Sequence, residues 1–380
     1  MRIALVTRSF SPLSGVGRVV SELARYYKDQ MGHEVHIVLP AGEAVHGDYE
    51  IHPVSMVKYT FETRNLSFFL RSGALLRREK FDVAHLHAPC RFDDGIVTCH
   101  GVARIGMNLI KTLSKSHRKE VPLLYRLRIM LSYPMSDYNY RRGHYRKVIA
   151  LSREIRDFLL SYYKVPEDAV ELLPNGVDLA AYNPVGLEEL RLPTRSRHGI
   201  SETDFTFLFV GNFFKRKGLA FAIEALARIK RPHARLLVVG KDQVDQVRFE
   251  DYARELGVDA QVIFAGASLD TRPYYAAADA FLFPSFYDAY PLVNLEAMSS
   301  GLPIITSMRT GTVDILRDGE NGLIVTDPTD AEELARKMLV LLEEPALRES
   351  MAAEARKTME AYSWETIGRR TLEIYREIQR

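Results

Sequence analysis

Residues 207–226, FLFVGNFFKRKGLAFAIEAL, join a short apolar run to a segment of helical period through a loop bounded by Gly211 and Gly218. An aromatic and aliphatic run that ends at glycine is typical of a buried strand, whereas Ala222, Ile223 and Leu226 share one face of a helix. Units of strand, loop and helix build parallel sheets. The stretch therefore predicts an α/β fold.

The same alternation recurs along the chain. Apolar runs include RIALVTR, GHEVHIVLP, FDVAHLHAP, GIVTCHG and KVIALS, then RLLVVG, QVIFAG, AFLFPS and PIITS, with helical period between them, as in residues 17–30. Two such series predict two doubly wound domains, 1–178 and 179–362. Residues 179–201 carry two prolines, two glycines and no sustained apolar period, which predicts a linker.

The composition is that of an ordinary globular protein, with 47% hydrophobic and 26% charged residues among 380. No apolar run approaches the roughly 20 residues of a membrane-spanning helix, and the first residues lack the apolar stretch of a signal peptide. We therefore expect a cytoplasmic protein. Cys90 and Cys99 fit neither a disulfide framework nor a zinc-ligand spacing, so we expect both to be buried.

Residues 1–178 carry a net positive charge, and the remainder of the chain is net acidic. Residues 104–147 are rich in Lys and Arg interleaved with apolar residues, as in VPLLYRLRIMLSY. This pattern fits an anionic acceptor, such as a phosphorylated glycan, or contact with a membrane surface. A solvated basic face and ordinary surface variation are equally open alternatives.

Two loops are candidates for phosphate binding. Ser14, Gly15 and Gly17 lie between the first strand and a helix, where backbone amides can approach a phosphate, although a turn with positive φ is an equal alternative. The third glycine of a dinucleotide fingerprint is absent, which disfavours nicotinamide or flavin binding. In the second loop, the cations of residues 215–217 precede a helix N-terminus, so we expect an anion such as a diphosphate to join them.

One acidic residue occupies an apolar stretch. Glu296 lies inside a predicted helix that starts at Pro291 and stops at Gly301, and it shares a stripe with Leu292 and Val293. Ligand hydroxyl groups would satisfy this carboxylate, and a salt bridge to Lys or Arg is the alternative. Asp288, eight residues earlier, is by itself explained as a turn residue or a charge at the helix N-terminus.

Three histidines lie at or after the ends of two predicted strands. His85 and His87 share one face near the end of a strand, and His100 follows the next strand. Zinc binding is disfavoured because no other ligand accompanies them with suitable spacing. We expect His85 and His87 to be structural, and His100, before Gly101, to be better placed for a ligand.

Together these motifs resemble the retaining glycosyltransferases of family four. The resemblance spans nearly the whole chain and rests on SPLSGVGRVVSELA, HLHAP, TCHG, LPNGVDLAAYNP, FVGNFFKRKG, YYAAADAFLFPSFYDAYPLVNLEAMSSGLPIITS, NGLIVTDP and YSWE. It implies the GT-B fold, two facing Rossmann-like doubly wound domains with a cleft between them. It also implies that the final helix, 363–380, packs on the N-terminal domain with Trp364 as its anchor.

On the donor side, the resemblance implies that Glu296 binds the donor ribose hydroxyls and that Asp288 contacts the transferred sugar. Lys217 matches the diphosphate lysine of the family, and Leu292 and Val293 belong to the same donor-binding segment. Three positions depart from the family pattern: Asp288 replaces a glutamate, Asn212 replaces an arginine whose charge Arg216 would supply, and Ser14 replaces a glycine.

On the acceptor side, the resemblance implies that Ser14 and Gly15 lie near the donor phosphates and the acceptor, and that His100 lies beside the transferred sugar. His100, Asp288 and Lys217 are therefore the catalytic candidates.

The resemblance implies metal-independent sugar transfer from a nucleoside-diphosphate donor, without a cofactor. VGNFFKRKG and YDAYPLVNLEA look most like lipopolysaccharide core glucosyltransferases, which makes UDP-glucose the leading donor and an anionic glycan or lipid-linked molecule the acceptor. We expect peripheral contact with the inner membrane through residues 104–147 and no nucleic-acid partner. A sugar-nucleotide epimerase and a non-catalytic nucleotide-sugar or membrane-surface binding protein are the alternatives.

Overall fold

A computed structural model describes residues 1–57, 59–102, 105, 134–242 and 246–379. The chain divides into two compact units, one formed by Met1–Asn175 with Trp364–Arg380 and the other by Gly176–Ser363. The division falls slightly before the predicted boundary at residue 178, and the C-terminal segment joins the first unit. Within the described ranges, every helix is too short or too polar to cross a bilayer.

The first unit is built on a parallel sheet. Its strands are β1 (Arg2–Val6), β2 (Glu34–Pro40), β3 (Glu50–Val54), β4 (Val83–Leu86), β5 (Ile96–Cys99), β6 (Lys147–Ala150) and β7 (Val170–Leu172). They lie in the order β3-β2-β1-β4-β5-β6-β7. The central strands are buried on both faces, which explains why their sequences are continuous apolar runs rather than alternating ones.

Three helices of the first unit begin after a short polar residue. Helices in the described part of this unit include Gly15–Arg25, continued by the π-helical Tyr26–Gln30, then Phe61–Glu79, Arg153–Ser161 and Trp364–Gln379. Ser14, Thr60 and Ser152 each accept a hydrogen bond from a first-turn amide. These side chains replace the acceptors that the first amides of a helix lack.

The C-terminal helix packs tightly against the first unit. Tyr375 is fully buried, with its ring 5.6 Å from that of Tyr27. Trp364 is buried at the start of the helix, in the region where the sequence placed an anchor. A Cβ atom at Gly368 would lie only 2.3 Å from Cδ1 of Tyr26. Glycine is therefore required at position 368 by close packing.

Replacing Gly368 with alanine should destabilise the protein by about 1–3 kcal/mol, because the new methyl group would overlap the Tyr26 ring. Gly186 is a matched control, since it also lies in a helix and a Cβ there would meet nothing within 4 Å. Gly186→Ala should be neutral or stabilising by about 0.5–1 kcal/mol. Thermal unfolding measures both effects, and equal melting temperatures for the two variants would contradict this packing.

The second unit is also a parallel α/β structure. Its strands are β8 (Phe205–Val210), β9 (Ala234–Val239), β10 (Val262–Gly266), β11 (Ala280–Phe283), β12 (Ile304–Ser307) and β13 (Leu323–Val325). Their order is β10-β9-β8-β11-β12-β13. Because β8 and β11 are parallel neighbours, the loops that follow them leave the same edge of the sheet. The predicted fold, with two Rossmann-like parallel α/β domains, is confirmed.

Eight α-helices are assigned in the described part of the second unit. They are Pro184–Arg197, Phe214–Lys217, Leu219–Ile229, Gln246–Glu255, Arg272–Ala277, Leu292–Ser299, Ala331–Glu343 and Pro345–Met359. The core joins Leu226 and Ile223 of one helix to Met338 of another and to Phe207 and Leu236 of the sheet. The apolar periodicity of residues 219–229 was thus a reliable guide to a buried helix.

Residues 179–201, where the sequence predicted the linker, lie within the second unit, and Pro184–Arg197 among them is a helix. Asn183 accepts a hydrogen bond from the Val185 amide at 3.1 Å, and Pro184 opens the first turn. Arg195 is almost fully buried and donates to the Ala277 carbonyl at 2.8 Å. Polar tertiary contacts hold this helix, so its sequence carries little apolar period.

Most of the cation-rich segment 104–147 lies outside the described residues, so the membrane contact assigned to it stays a prediction. At its described end, Arg146 Nε donates to Asp94 at 2.5 Å and Lys147 Nζ donates to the Asp168 carbonyl at 2.6 Å. Cys90 and Cys99 are both buried, as predicted. Burial raises the pKa of the Cys90 thiol to about 12.

Candidate functional site

The loop after β8 contains a helical turn that the sequence did not predict, and it is followed by the predicted helix after Gly218. Residues 214–217 form a single helical turn, and the longer helix starts at Leu219. Gly218 links the two with φ +80°, and a Cβ there would lie 2.1 Å from the Pro284 carbonyl oxygen. Only glycine combines this conformation with so close an approach to the loop after β11.

Lys217 is the buried cation of this turn. Its side chain is 10% exposed, and its Nζ atom forms an ion pair with the Asp288 carboxylate. The Nζ atom also lies 4.6 Å from the Phe283 ring centroid. Burial lowers the pKa of the Lys217 ammonium, and the Asp288 carboxylate opposes that shift. The two predicted site residues, assigned separately to phosphate and sugar, therefore meet directly.

Hydrogen bonds to backbone carbonyls join the same two loops. The Phe286 amide donates to the Arg216 carbonyl at 3.0 Å, and Arg216 Nη1 donates to the Tyr287 carbonyl at 2.8 Å. Arg216 also lies 3.8 Å from the Asp288 carboxylate. The cations of this turn were expected to need a bound anion, and Asp288 supplies a negative charge within the chain.

The loop after β12 positions the Asp288 backbone. The Asp288 amide donates to the Arg309 carbonyl at 3.1 Å, and the Gly311 amide donates to the Asp288 carbonyl at 2.9 Å. Asn294 steadies this loop by donating to Thr312 Oγ1 at 2.7 Å. Sequence reasoning missed this loop, and its only signal was a cluster of Thr and Gly after a strand.

Glu296 lies in the helix Leu292–Ser299 and is 2% exposed. Tyr275, another residue that the sequence analysis missed, donates its hydroxyl hydrogen to Glu296 Oε2 at 2.9 Å, and its Oη lies 3.2 Å from the Val293 carbonyl. Leu292 and Val293 are half-buried in the first helical turn. A protein hydroxyl group thus contacts the carboxylate for which we predicted hydroxyl-bearing ligands.

Pro291 precedes this helix rather than occupying its first position, and Gly301 follows its end as the predicted stop. Pro291 is the N-terminal capping residue, and Gly301 follows the last turn with φ +71°. The helix is therefore shorter than predicted.

In the first unit, Ser14 and Gly15 open the helix after β1. Ser14 Oγ accepts from the Gly17 amide at 3.2 Å, so the serine that replaces a family glycine acts as a helix cap. Neither Gly15 nor Gly17 has a positive φ, so a turn that requires positive φ does not explain these glycines. A Cβ at Gly17 would lie 2.5 Å from the Ser11 carbonyl oxygen, whereas one at Gly15 would meet nothing within 4 Å.

The three histidines form one packed group, with ring centroids 4.1 Å apart for His85 and His87 and 5.1 Å apart for His87 and His100. His85 is engaged at both ring nitrogens, by Tyr375 Oη and by Thr98 Oγ1, each at 2.6 Å. His87 Nδ1 lies 2.8 Å from His100 Nε2. Because a neutral imidazole has one donor and one acceptor nitrogen, His85 keeps no lone pair for a metal. These contacts agree with the structural role expected for His85.

Burial keeps these imidazoles neutral. It lowers the pKa of His85 to about 3, with His100 as a smaller cause, and the pKa of His100 to about 4. The pKa of His87 is also lowered well below its ordinary value, chiefly by burial. At neutral pH, His100 is therefore an uncharged hydrogen-bonding group at the end of β5, two strands from the Gly15 loop in the sheet order.

The folded protein should lose stability between about pH 6.5 and pH 4, because the unfolded chain binds protons there that the buried imidazoles do not. Each imidazole contributes a slope of about 1.4 kcal/mol per pH unit, with stability greatest above that window. His100→Asn should give a shallower slope in unfolding free energy between pH 7 and 5. A slope for His100→Asn identical to that of the wild type would refute the assignment.

Two Rossmann-like units with polar and charged groups gathered at strand-end loops define a protein of the GT-B class. Residues 13–181 match the family model described as Glycosyltransferase Family 4, and residues 191–358 match that of Glycosyl transferases group 1. The chain belongs to the family-four type of GT-B glycosyltransferases.

Three known proteins illustrate the relationship. An uncharacterised glycosyltransferase of Methanocaldococcus jannaschii is 27% identical over 99% of this chain and 98% of its own length. The lipopolysaccharide glucosyltransferase WaaG of Escherichia coli is 32% identical over 59% of this chain and 61% of its own. A WaaG crystal structure covers 98% of this chain and 99% of its own with a TM-score of 0.82 at 23% identity. Anabaena HepE, crystallised with UDP-glucose, covers 99% of this chain and all of its own with a TM-score of 0.75 at 17% identity.

The resemblance to lipopolysaccharide core glucosyltransferases is thus confirmed, and so is the prediction that the chain is a glycosyltransferase.

Proposed function

We propose that the chain is a retaining glycosyltransferase that moves a sugar from a nucleoside-diphosphate donor to a cell-surface glycan such as lipopolysaccharide core. The observation that carries the proposal is the buried Lys217 ammonium, held beside Asp288 where the loops after β8 and β11 meet. UDP-glucose is the first candidate donor, supported by the glucosyltransferase WaaG and by UDP-glucose in HepE.

The donor diphosphate would bind at Lys217 and Arg216. Negative charge grows on the leaving diphosphate as the glycosidic bond breaks, and two fixed cations in a partly dry site stabilise that charge. Lys217 gives a compact charge and Arg216 a second, half-exposed one. In this proposal the cations do the work that a metal ion does elsewhere, and no cofactor takes part.

The donor sugar and ribose would bind through the two acids. Asp288, fixed at its backbone by Arg309 and Gly311, would orient the hydroxyl groups of the transferred sugar. Glu296 would accept hydrogen bonds from ribose hydroxyls, as it accepts one from the Tyr275 hydroxyl at Oε2. Leu292 and Val293 would line this part of the donor site.

In the first unit, Gly15 and His100 would serve the reacting centre. The space beside Gly15 allows a phosphate or acceptor group to approach the backbone at the helix N-terminus, while Ser14 holds that turn. His100, kept neutral, would hydrogen-bond to the transferred sugar without adding charge. His100, Asp288 and Lys217 are thus proposed as the residues that touch the reacting groups.

The acceptor would be anionic or lipid-linked, which agrees with the basic first half of the chain. We place the enzyme at the cytoplasmic face of the inner membrane, with residues 104–147 as its peripheral contact.

Lys217→Ala should weaken UDP binding by about 10- to 100-fold, because a hydrogen bond to a charged group contributes about 1.5–3 kcal/mol. Lys215→Ala is the matched control: Lys215 lies in the same turn and is exposed. Calorimetric titration with UDP and UDP-glucose measures both variants. Equal affinities for wild type and Lys217→Ala would refute the phosphate role.

Turnover separates the alternatives. Incubation with UDP-glucose and truncated lipopolysaccharide core should transfer glucose with retained configuration, and Glu296→Ala should abolish that transfer. Conversion of the donor to an epimer without any acceptor would favour an epimerase instead. A non-catalytic binding protein would be favoured if the chain bound UDP-glucose tightly but neither transferred glucose to any glycan nor slowly hydrolysed the donor.

A further inference from the structure

The sequence Glu-x-His occurs on two adjacent strands of the first unit. Glu34 and His36 lie on β2, and Glu50 and His52 lie on the edge strand β3. The parallel register pairs His36 with Glu50, so the alternation of side chains places all four on one face of the sheet. The proposed glycosyl transfer uses none of them.

Ligand atoms of three side chains converge here. His36 Nδ1 lies 3.0 Å from His52 Nε2 and 3.4 Å from Glu50 Oε2, and His52 Nε2 lies 3.8 Å from the other carboxylate oxygen, Glu50 Oε1. Ligands on a tetrahedral zinc ion with bonds of about 2.0–2.1 Å stand about 3.3 Å apart. The two imidazole nitrogens and the Glu50 carboxylate are therefore already close to the spacing of zinc ligands, and one atom from each side chain lies within 4.8 Å of the other two.

Glu34 sets the protonation of His36. Its Oε1 atom lies 2.9 Å from His36 Nε2, and Arg2 Nε donates to the same oxygen at 3.2 Å. Because an ionised carboxylate only accepts, His36 Nε2 carries the proton and Nδ1 presents a lone pair toward His52 and Glu50. A carboxylate behind a histidine is the usual arrangement that orients a metal ligand.

The group is buried on the His36 side and exposed to solvent on the Glu50 side. The His36 side chain is fully buried, and the Phe81 ring packs against both imidazoles, with centroids 4.9 Å from His36 and 5.7 Å from His52. The Glu50 side chain is 59% exposed. A metal ion could enter from the Glu50 side, and water would complete its coordination there.

We propose that His36, His52 and Glu50 bind a divalent ion of the zinc class, with Glu34 as the positioning residue. Two imidazoles and one carboxylate suit Zn²⁺ better than Mg²⁺ or Ca²⁺, which prefer oxygen ligands only. On binding, the proton of His52 leaves Nε2, either for Nδ1 or for solvent. The ion would fasten β3 to β2 at the sheet edge, where Pro53 lacks an amide hydrogen for the ladder. The sequence analysis had expected no metal.

The test uses the full chain without a histidine tag, stripped with a chelator and titrated with ZnCl₂ by calorimetry. We expect one Zn²⁺ per chain, a higher melting temperature with Zn²⁺, and the visible absorption of tetrahedral Co²⁺ when CoCl₂ replaces it. His52→Ala and Glu50→Gln should each weaken binding at least tenfold, and Glu34→Gln by about 10–100-fold. These variants avoid the fully buried His36, whose loss could prevent folding.

His46→Ala is the matched control, because His46 is exposed in the same unit and lies outside the cluster. It should bind Zn²⁺ like the wild type. Wild-type protein that is folded, as shown by its unfolding transition, but binds no Zn²⁺ would overturn the proposal. So would unchanged binding by the His52→Ala, Glu50→Gln double variant, or loss of binding in His100→Asn, which would place the ion at the other histidine group.

Discussion

The contact between the Lys217 ammonium and the Asp288 carboxylate joins the loops that follow β8 and β11 in the second unit. The two side chains are only 10% and 18% exposed, so both charges are largely removed from water. Removing one partner of a buried ion pair leaves the other charge uncompensated and typically costs about 3–5 kcal/mol. Because β8 and β11 are neighbours in the sheet, the pair forms where their two loops first come together.

This pairing also connects stability with ligand binding. Lys215, Arg216 and Lys217 would repel one another at the end of β8, and Asp288 offsets part of that repulsion. A donor diphosphate brings a larger negative charge, so it would share Lys217 with Asp288 or replace it. Asp288 is one methylene shorter than the family's glutamate, and its backbone is fixed by the loop after β12. Asp288 therefore stabilises the folded protein, and in the proposed function it would also contact the transferred sugar.

The sequence predicted the features that depend on local pattern. A buried strand such as FLFV is recognisable because both of its faces must be apolar. The helix 219–229 is recognisable because the stripe that faces the core must be apolar. The polar contacts between distant residues were not recognisable. Tyr275 reaches Glu296, and Arg195 holds Asp279 and turns an apparent linker into a helix, without any periodic signal. Likewise, the role of Gly17 depends on the nearby Ser11 backbone, and Glu34 and Glu50 gain significance only through the strand register.

A double-mutant cycle on Lys217 and Asp288 tests the central claim most directly. Chemical unfolding of the nucleotide-free wild type, Lys217→Met, Asp288→Asn and the double variant gives the coupling free energy between the two side chains. The ion pair predicts that the double variant loses less stability than the sum of the single losses, by about 1–3 kcal/mol. Losses that add within about 0.3–0.5 kcal/mol would contradict it, because independent sites behave in that way.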